Sequence, residues 1–410
     1  MASAAPLLQA AKRHEKDMVK FLRELVAIPG QSGTEGPVIK RIQKEMKRLG
    51  VFDRIWIDKF GNLLGQVGKG KRVIAIDAHV DTVGVGDRSE WKHDPYKGKV
   101  ANGTVFGRGA GDQRGAVPAM LYGAKLAREH GLVNGEFSTL FTFTVCEEDC
   151  DGLCWQYIVQ EDKIRPEAVV VTDSTNCQIL RGQRGRMEVG VTVRGKSCHG
   201  SMPHKGINAI YLMNKVIGEI EKLGPKLKDH DFLGKGTITV SYIECSTPSM
   251  CAVPDRAYIH IDRRLTVGET KEIALKQIRD AVKRAGVEAE VAIPRYDQPT
   301  HTGLVYPTDN YFPTWCADEN AAQIQGAVET YKSLFKKTPE VGRWTFSTNG
   351  VSIAGMFGIP CVGFGPAPES VAHTVNDSVP IEHMVKCAAF YAAYPATYCE
   401  VTPKAVKVKA

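Results

Sequence analysis

Two histidines and a set of acids stand where a chain could gather metal ligands. His79 and Asp81, separated by Val80, share one side of an extended segment. Asp81 is placed to accept the second ring N–H of His79 and so orient it; a satisfied polar strand end explains the pair equally well. Asp112 lies in a glycine-rich turn, Gly109-Ala110-Gly111-Asp112-Gln113-Arg114-Gly115, whose glycines permit a sharp bend. Taken alone, it reads as the N-cap of the following helix. A phosphate cradle is the rival, but the turn lacks the Lys-Ser/Thr of a P-loop and the G-x-G-x-x-G spacing. Glu147, Glu148 and Asp149 crowd three carboxylates, which repel and raise one another's pKa unless a cation sits among them. A solvated acidic loop is the bland alternative. Asp173 closes a run of valines, where an unpaired acid is costly. His373, in Ala372-His373-Thr374, says nothing by itself.

Together these residues meet a specific demand. Two divalent ions need two imidazoles, several carboxylates and one carboxylate shared between them. A mixed nitrogen and oxygen set suits zinc, with manganese or cobalt as alternatives. Such a pair of ions polarises a carbonyl and produces hydroxide at neutral pH. The implied chemistry is hydrolysis.

The elements that must position these groups follow from the apolar pattern. Residues 16 to 28 place Val19, Leu22, Leu25 and Val26 on one helical face, and a second helix is expected over 35 to 49. Three β-branched or aromatic runs, around 72 to 83, 138 to 149 and 167 to 173, read as buried strands. A helix is expected between the first two. Strands alternating with helices predict an α/β fold with a mostly parallel sheet. Each of the three strands leads into acids or a histidine, and in open α/β sheets ligands bind beyond the carboxyl ends of the strands.

After residue 183 the pattern changes. RMEVGVTVRG alternates as a half-exposed strand does, and a helix, two strands, a helix and a strand follow. This β-α-β-β-α-β order predicts an inserted α+β unit, ferredoxin-like, of about one hundred residues. The expected domains are 1–183 with 298–410, and 184–297.

Composition bounds the rest. A chain of 410 residues is too long for one ordinary core. There is no apolar run long enough to cross a bilayer. The start, MASAAPLLQAAKRHEKD, lacks the positive-then-apolar order of a secretory signal, so a cytoplasmic protein is expected. The formal charge of +7 is spread among acids, which argues against a nucleic-acid partner. The one basic cluster is the tail TPKAVKVKA, read as a solvated end. The 11 cysteines are irregularly spaced. Cys146, Cys150 and Cys154 have no second pair at zinc-finger spacing, so reduced thiols are expected.

The chain resembles the M20 metallopeptidases and amidohydrolases. The matching motifs are AHVDTV, W-x-x-DPY-x-G at 91 to 98, GRGAGDQRGA, EED, TDST and AHTVND, in this order along the whole chain. CEEDCDGLCWQYI, RGQRGRMEV, SCHGS, FLGKGT and WTFSTNGVSI resemble the YgeY-like branch, described as selenium-metabolism-linked hydrolases. The resemblance implies that His79 and Asp173 hold one metal, that Glu148 and His373 hold the other, and that Asp112 bridges. It implies Glu147 as general base toward the metal-bound water, and Asp81 as the group orienting His79. The inserted unit becomes a lid and dimerisation domain. From it, His199 reaches the partner subunit's site to stabilise the oxyanion, and Arg264 binds a substrate carboxylate. A surface salt bridge is the alternative for Arg264.

Two departures from the family pattern bear on substrate recognition. Cys251 stands where Asn is frequent, and Asn349, counted with the substrate-binding residues, stands where Asp is frequent. The expected activity is cleavage of an amide C–N bond, in a peptide, N-acyl or N-carbamoyl amino acid that bears a carboxylate. A metal-binding scaffold without catalysis is the competing expectation; retention of Glu147 argues against it.

Overall fold

The computed structural model describes residues 5–402. The first residues of the N-terminal segment, and residues 403–410 of the basic tail, lie outside the described residues. The chain divides into two compact units. The first runs to Gly182 and resumes at Gln298–Tyr306 and from Ala317 onward; the second comprises Gln183–Asp297 and Pro307–Cys316.

The first unit is built on an eight-stranded sheet. Its order is Arg54–Ile57, Leu63–Val67, Phe137–Thr144, Arg72–His79, Ala168–Val171, Cys361–Gly363, Ile179–Leu180, Val341–Gly342. The four central strands, from Phe137–Thr144 to Cys361–Gly363, run parallel, and antiparallel pairs flank them. The sheet is therefore parallel where the α/β pattern is strongest and mixed at its edges. The central strands are almost wholly buried, as expected when helices cover both faces. Register sets His79 opposite Thr144 and Asp77 opposite Val171, so the loops after these strands leave from the same carboxyl end of the parallel strands.

The helix Glu15–Val26 buries Met18, Phe21, Leu22, Leu25 and Val26, leaving Val19 half-buried. Its last turn meets an unusual partner. Arg114, fully buried, donates to the carbonyls of Leu25, Ile28, Gly30 and Val80. The Leu25 carbonyl lies at the helix C-terminus, which carries partial negative charge, and the four carbonyl oxygens together stand in for a carboxylate. Burial still lowers the Arg114 guanidinium to about 10. The effect is to pin the glycine-rich turn against both the helix end and the exit of the strand Arg72–His79.

The second unit follows the β-α-β-β-α-β order. Its strands lie as Thr237–Ser246, Arg256–Leu265, Gly185–Arg194, Ala289–Ala292, all antiparallel. The helices Ala209–Leu223 and Lys271–Arg284 cover one face, with Asn208 and Thr270 capping their N-termini through side-chain oxygens. One segment departs from the expected boundaries. Residues 307–316, assigned to the first domain from sequence, fold with the second unit: Tyr311–Phe312 pairs with Arg186–Met187. Phe312 is buried there, with the Arg186 guanidinium 4.4 Å from its ring centre. A two-residue strand offers no periodicity from which to read this.

Candidate metal centre

His79 is the last residue of a central strand. Its Nδ1 lies 3.1 Å from the Asp81 backbone oxygen and 3.5 Å from Asp81 Oδ1. The main chain is thus the nearer orienting group, and the carboxylate stands just behind it. Asp81 Oδ2 accepts from Ser32 Oγ at 2.7 Å and from the Glu148 N–H at 3.0 Å. One buried carboxylate therefore ties the His79 strand to the loop bearing Glu148.

Asp112 sits where the two halves of the centre meet. Its Oδ1 is 3.2 Å from His79 Nε2, and its Oδ2 is 3.3 Å from His373 Nε2. His79 Nε2 is also 3.6 Å from Asp173 Oδ1, and His373 Nε2 is 2.8 Å from Glu148 Oε2. Two groupings result, His79 with Asp112 and Asp173, and Asp112 with Glu148 and His373; in each, the ligand atoms lie within 4.8 Å of one another. Neither contains a cysteine. Among the described residues all eleven cysteines are free thiols. Glu147 stands beside the first grouping, its Oε2 3.8 Å from His79 Nε2. The loop 110–114 comes close enough because Gly111 has no side chain: a Cβ there would lie 2.7 Å from the Ser378 carbonyl oxygen.

The electrostatics fit a cation. Burial pushes Asp173 up to about 6 and Glu148 to about 7, with Asp112 adding repulsion at both. Glu147 is held well above its ordinary range by burial, with Asp151, Asp173 and Glu148 reinforcing the shift against His79. Burial would lower His79, but the Glu147, Asp112, Asp173 and Asp81 carboxylates outweigh it and raise it. His373 rises to about 10 through its bonds to Asp112 and Glu148. Asp112 falls despite burial, because both imidazoles bond to it. The two raised histidines thus fill the place of positive charge among the five carboxyl groups of Asp81, Asp112, Glu147, Glu148 and Asp173. Asp173 Oδ2, Asp81 Oδ1 and Glu147 Oε1 are buried without a hydrogen-bond partner. Buried anionic oxygens without partners are costly, and a divalent ion at the first grouping would offset that cost at Asp173. The donor set, imidazole nitrogen with carboxylate oxygen, suits such ions.

Beneath the centre lies a polar layer. Asp77, fully buried two residues before His79, accepts from Thr142 Oγ1 at 2.6 Å and from Asn349 Nδ2 at 2.8 Å. Asn349 Nδ2 also donates to Thr144 Oγ1, and its Oδ1 accepts from the Gly152 N–H and from Cys154 Sγ. Both donors and both lone pairs of the amide are spent within the core, so Asn349 as placed has nothing to offer a substrate; it holds Asp77 instead. Asn349→Ala should lower unfolding free energy by about 2–3 kcal/mol, since a buried anion loses a donor, without moving KM. Denaturant titration beside steady-state kinetics checks this; a raised KM with unchanged stability would restore the substrate role.

The remaining expected residues lie in the second unit. His199 is exposed, and its Nδ1 is 2.8 Å from Ser201 Oγ and accepts from the Ser201 N–H at 3.2 Å. A backbone N–H only donates, so in the neutral ring the proton resides on Nε2, which is left as a donor. Arg264 forks onto Asp262 through Nε and Nη2, at 2.8 and 3.0 Å, which realises the salt-bridge alternative in this state. Cys251 is exposed. Sequence reasoning did not single out Asp77, Arg114 or Asp377. An acid inside the valine- and isoleucine-rich run before His79 was the available signal for the first.

Comparison with known proteins places these features. Residues 181–290 match the peptidase dimerisation domain of the M20 family. The chain is 50% identical over 394 residues to the uncharacterized protein YgeY of Escherichia coli K12, covering 96% of this chain and 97% of that one. Among solved structures, the aminopeptidase PepT of Bacillus cereus superposes with a TM-score of 0.72 at 21% identity, covering 94% of this chain and 99% of that one. YxeP of Bacillus subtilis, described as a dinuclear metal-binding peptidase of the M20 family, gives 0.69 at 15% identity, covering 94% and 98%. These two likenesses concern the fold. Among the described residues no helix is long and apolar enough to cross a membrane.

Proposed function

The chain belongs to the M20 family of metallohydrolases, in its YgeY-like branch, and from that premise we propose that it cleaves an amide C–N bond in a small, carboxylate-bearing amino acid derivative. The observation that carries the reading is the pair of ligand groupings sharing Asp112, with a buried, unpartnered carboxylate oxygen of Glu147 beside them. His79 and Asp173 would hold one ion, Glu148 and His373 the other, and Asp112 both, with zinc the first choice of metal. When bound, the ions polarise the scissile carbonyl and acidify the attacking water.

The chain's own groups do the rest. Glu147 Oε1 takes the proton of the attacking water and returns it to the leaving nitrogen. Burial, the leading cause that raises Glu147, favours its holding that proton between the two steps. Asp81 keeps His79 Nε2 aimed at the centre. His199 of a partner subunit donates from Nε2 to the developing oxyanion. Arg264 receives the substrate carboxylate, giving up or sharing its fork to Asp262. Peptides, N-acyl and N-carbamoyl amino acids all present the required carbonyl. The test is amine or ammonia release from a panel of the three classes, with zinc or manganese added and chelator as control. Chelator-sensitive release from one class supports the reading and names the bond. Metal-loaded protein inert toward all three would favour the scaffold alternative.

The role of His199 in trans requires a homodimer, and the second unit has a surface suited to one. Thr237–Ser246 is an edge strand, exposed along most of its length. Ile243 is 54% and Tyr211 72% exposed. Open edges and exposed apolar side chains mark pairing surfaces. Ile243→Lys should shift the chain toward monomer in sedimentation velocity and lower kcat in parallel. A fully active monomer would remove the role in trans.

A further inference from the structure

We infer that Asp377 is a positioning residue that locks the loop carrying Asp112 to the loop carrying His373, and so fixes the second metal position; this rests on the dinuclear reading above. Asp377 follows His373 by four residues and is fully buried. Its Oδ2 accepts from the Gly109 N–H at 2.6 Å and from Arg108 Nη1 at 3.2 Å, and its Oδ1 accepts from the Gly111 N–H at 2.7 Å. Its own carbonyl oxygen accepts from the Gly107 N–H at 2.9 Å. One residue therefore holds three alternate amides of the segment leading into Asp112.

The two halves of the centre need this unequally. His79 ends a central strand, and Asp173 lies two residues past another, so sheet hydrogen bonds place them. His373 has a left-handed backbone, φ 59°, and a side chain 55% exposed. It belongs to no helix or strand. What sets its distance from Asp112 is the clamp at Asp377, followed directly by the strand Ser378–Pro380, which pairs with Thr104–Phe106. All three side-chain contacts of Asp377 come from donors, so a carboxylate serves them and an amide does not. In Asp377→Asn an NH2 group must face one of the two backbone N–H groups, and that contact opens.

The test is calorimetric titration of zinc into the chelator-stripped full chain, with thermal unfolding of the stripped protein alongside. Wild type is expected to take two ions. Asp377→Asn should bind one as wild type does and the other about tenfold or more weakly, the size found when groups supporting metal ligands are lost. Its isotherm should resemble that of His373→Ala. A general structural defect would instead weaken both ions alike. If Asp377→Asn does not fold, Gly111→Ala takes its place, because the added Cβ wedges against Ser378 and Asp377 while the carboxylate stays. Two ions bound with wild-type affinity, or equal weakening of both, overturns the inference. A wild-type chain that takes up no ion at all refutes the proposed function as well.

Discussion

Glu147→Gln should reduce kcat by roughly a hundred- to ten-thousandfold, the range contributed by a positioned proton-transfer group, while both ions stay bound. Gln preserves shape and removes the proton-accepting carboxylate, with its charge beside His79. Glu147 belongs to neither ligand grouping, and its Oε1 has no partner among the described residues, so the substitution breaks no bond there. Loss of the carboxylate should even ease repulsion with Asp173 and Glu148, both of which contribute to raising Glu147. Metal content by elemental analysis and single-turnover rates on the best substrate separate the two effects. A variant retaining more than a tenth of wild-type kcat would remove Glu147 as the base. One that lost an ion would make it a ligand.

The parts of this centre legible in the sequence were those whose cost is local. An acid after a run of valines, as at Asp173, or three carboxylates in a row, as at Glu147, needs a partner wherever the chain goes. The strands before them were equally plain, because buried parallel strands read as continuous apolar runs. Asp112 and His373 carried no such signal. A glycine-rich turn before a helix fits an N-cap, and a loop histidine fits anything; only the motif order of the family joined them to the rest. Hardest to see were the groups acting at long range. Asp377 clamps a turn 266 residues away at Gly111, and Arg114 spans 84 to 89 residues to its carbonyls at Gly30 and Leu25. Spacing along the chain does not encode such closures. Asn349 shows the converse: the family pattern marked the position as different, and the structure gives it work inside the core.

Asp112→Ala should cost both ions. It is the one residue common to the two groupings, so its loss removes a ligand from each. Loss of a supporting group weakens metal binding by about ten- to a hundredfold, and loss of a ligand should reach at least the upper figure. His373→Ala, by contrast, removes a ligand from one grouping only and should leave the His79 and Asp173 position occupied. Thermal unfolding gives the contrast a direct readout. An ion at a hundred times its Kd stabilises a fold by about 2.7 kcal/mol, so zinc should raise the Tm of wild type, raise that of His373→Ala less, and leave Asp112→Ala nearly unmoved. The proton balance gives an independent check. In the metal-free centre the Asp112 and Glu148 carboxylates push His373 up to about 10, and the carboxylates around His79 raise it too, so His373 carries a proton at pH 7 and the charged form of His79 is favoured. A metal needs the neutral ring. Zinc uptake by wild type should therefore release protons, visible as a buffer-dependent enthalpy, and affinity should fall as the pH is lowered. Asp112→Ala removes one of the carboxylates that raise each ring, the first-ranked one at His373, while Glu147 still raises His79 and Glu148 still raises His373, so that dependence should weaken rather than vanish. Retention of two ions by Asp112→Ala at wild-type affinity would mean that the two groupings do not share a ligand, and the centre would have to be redrawn as two separate sites.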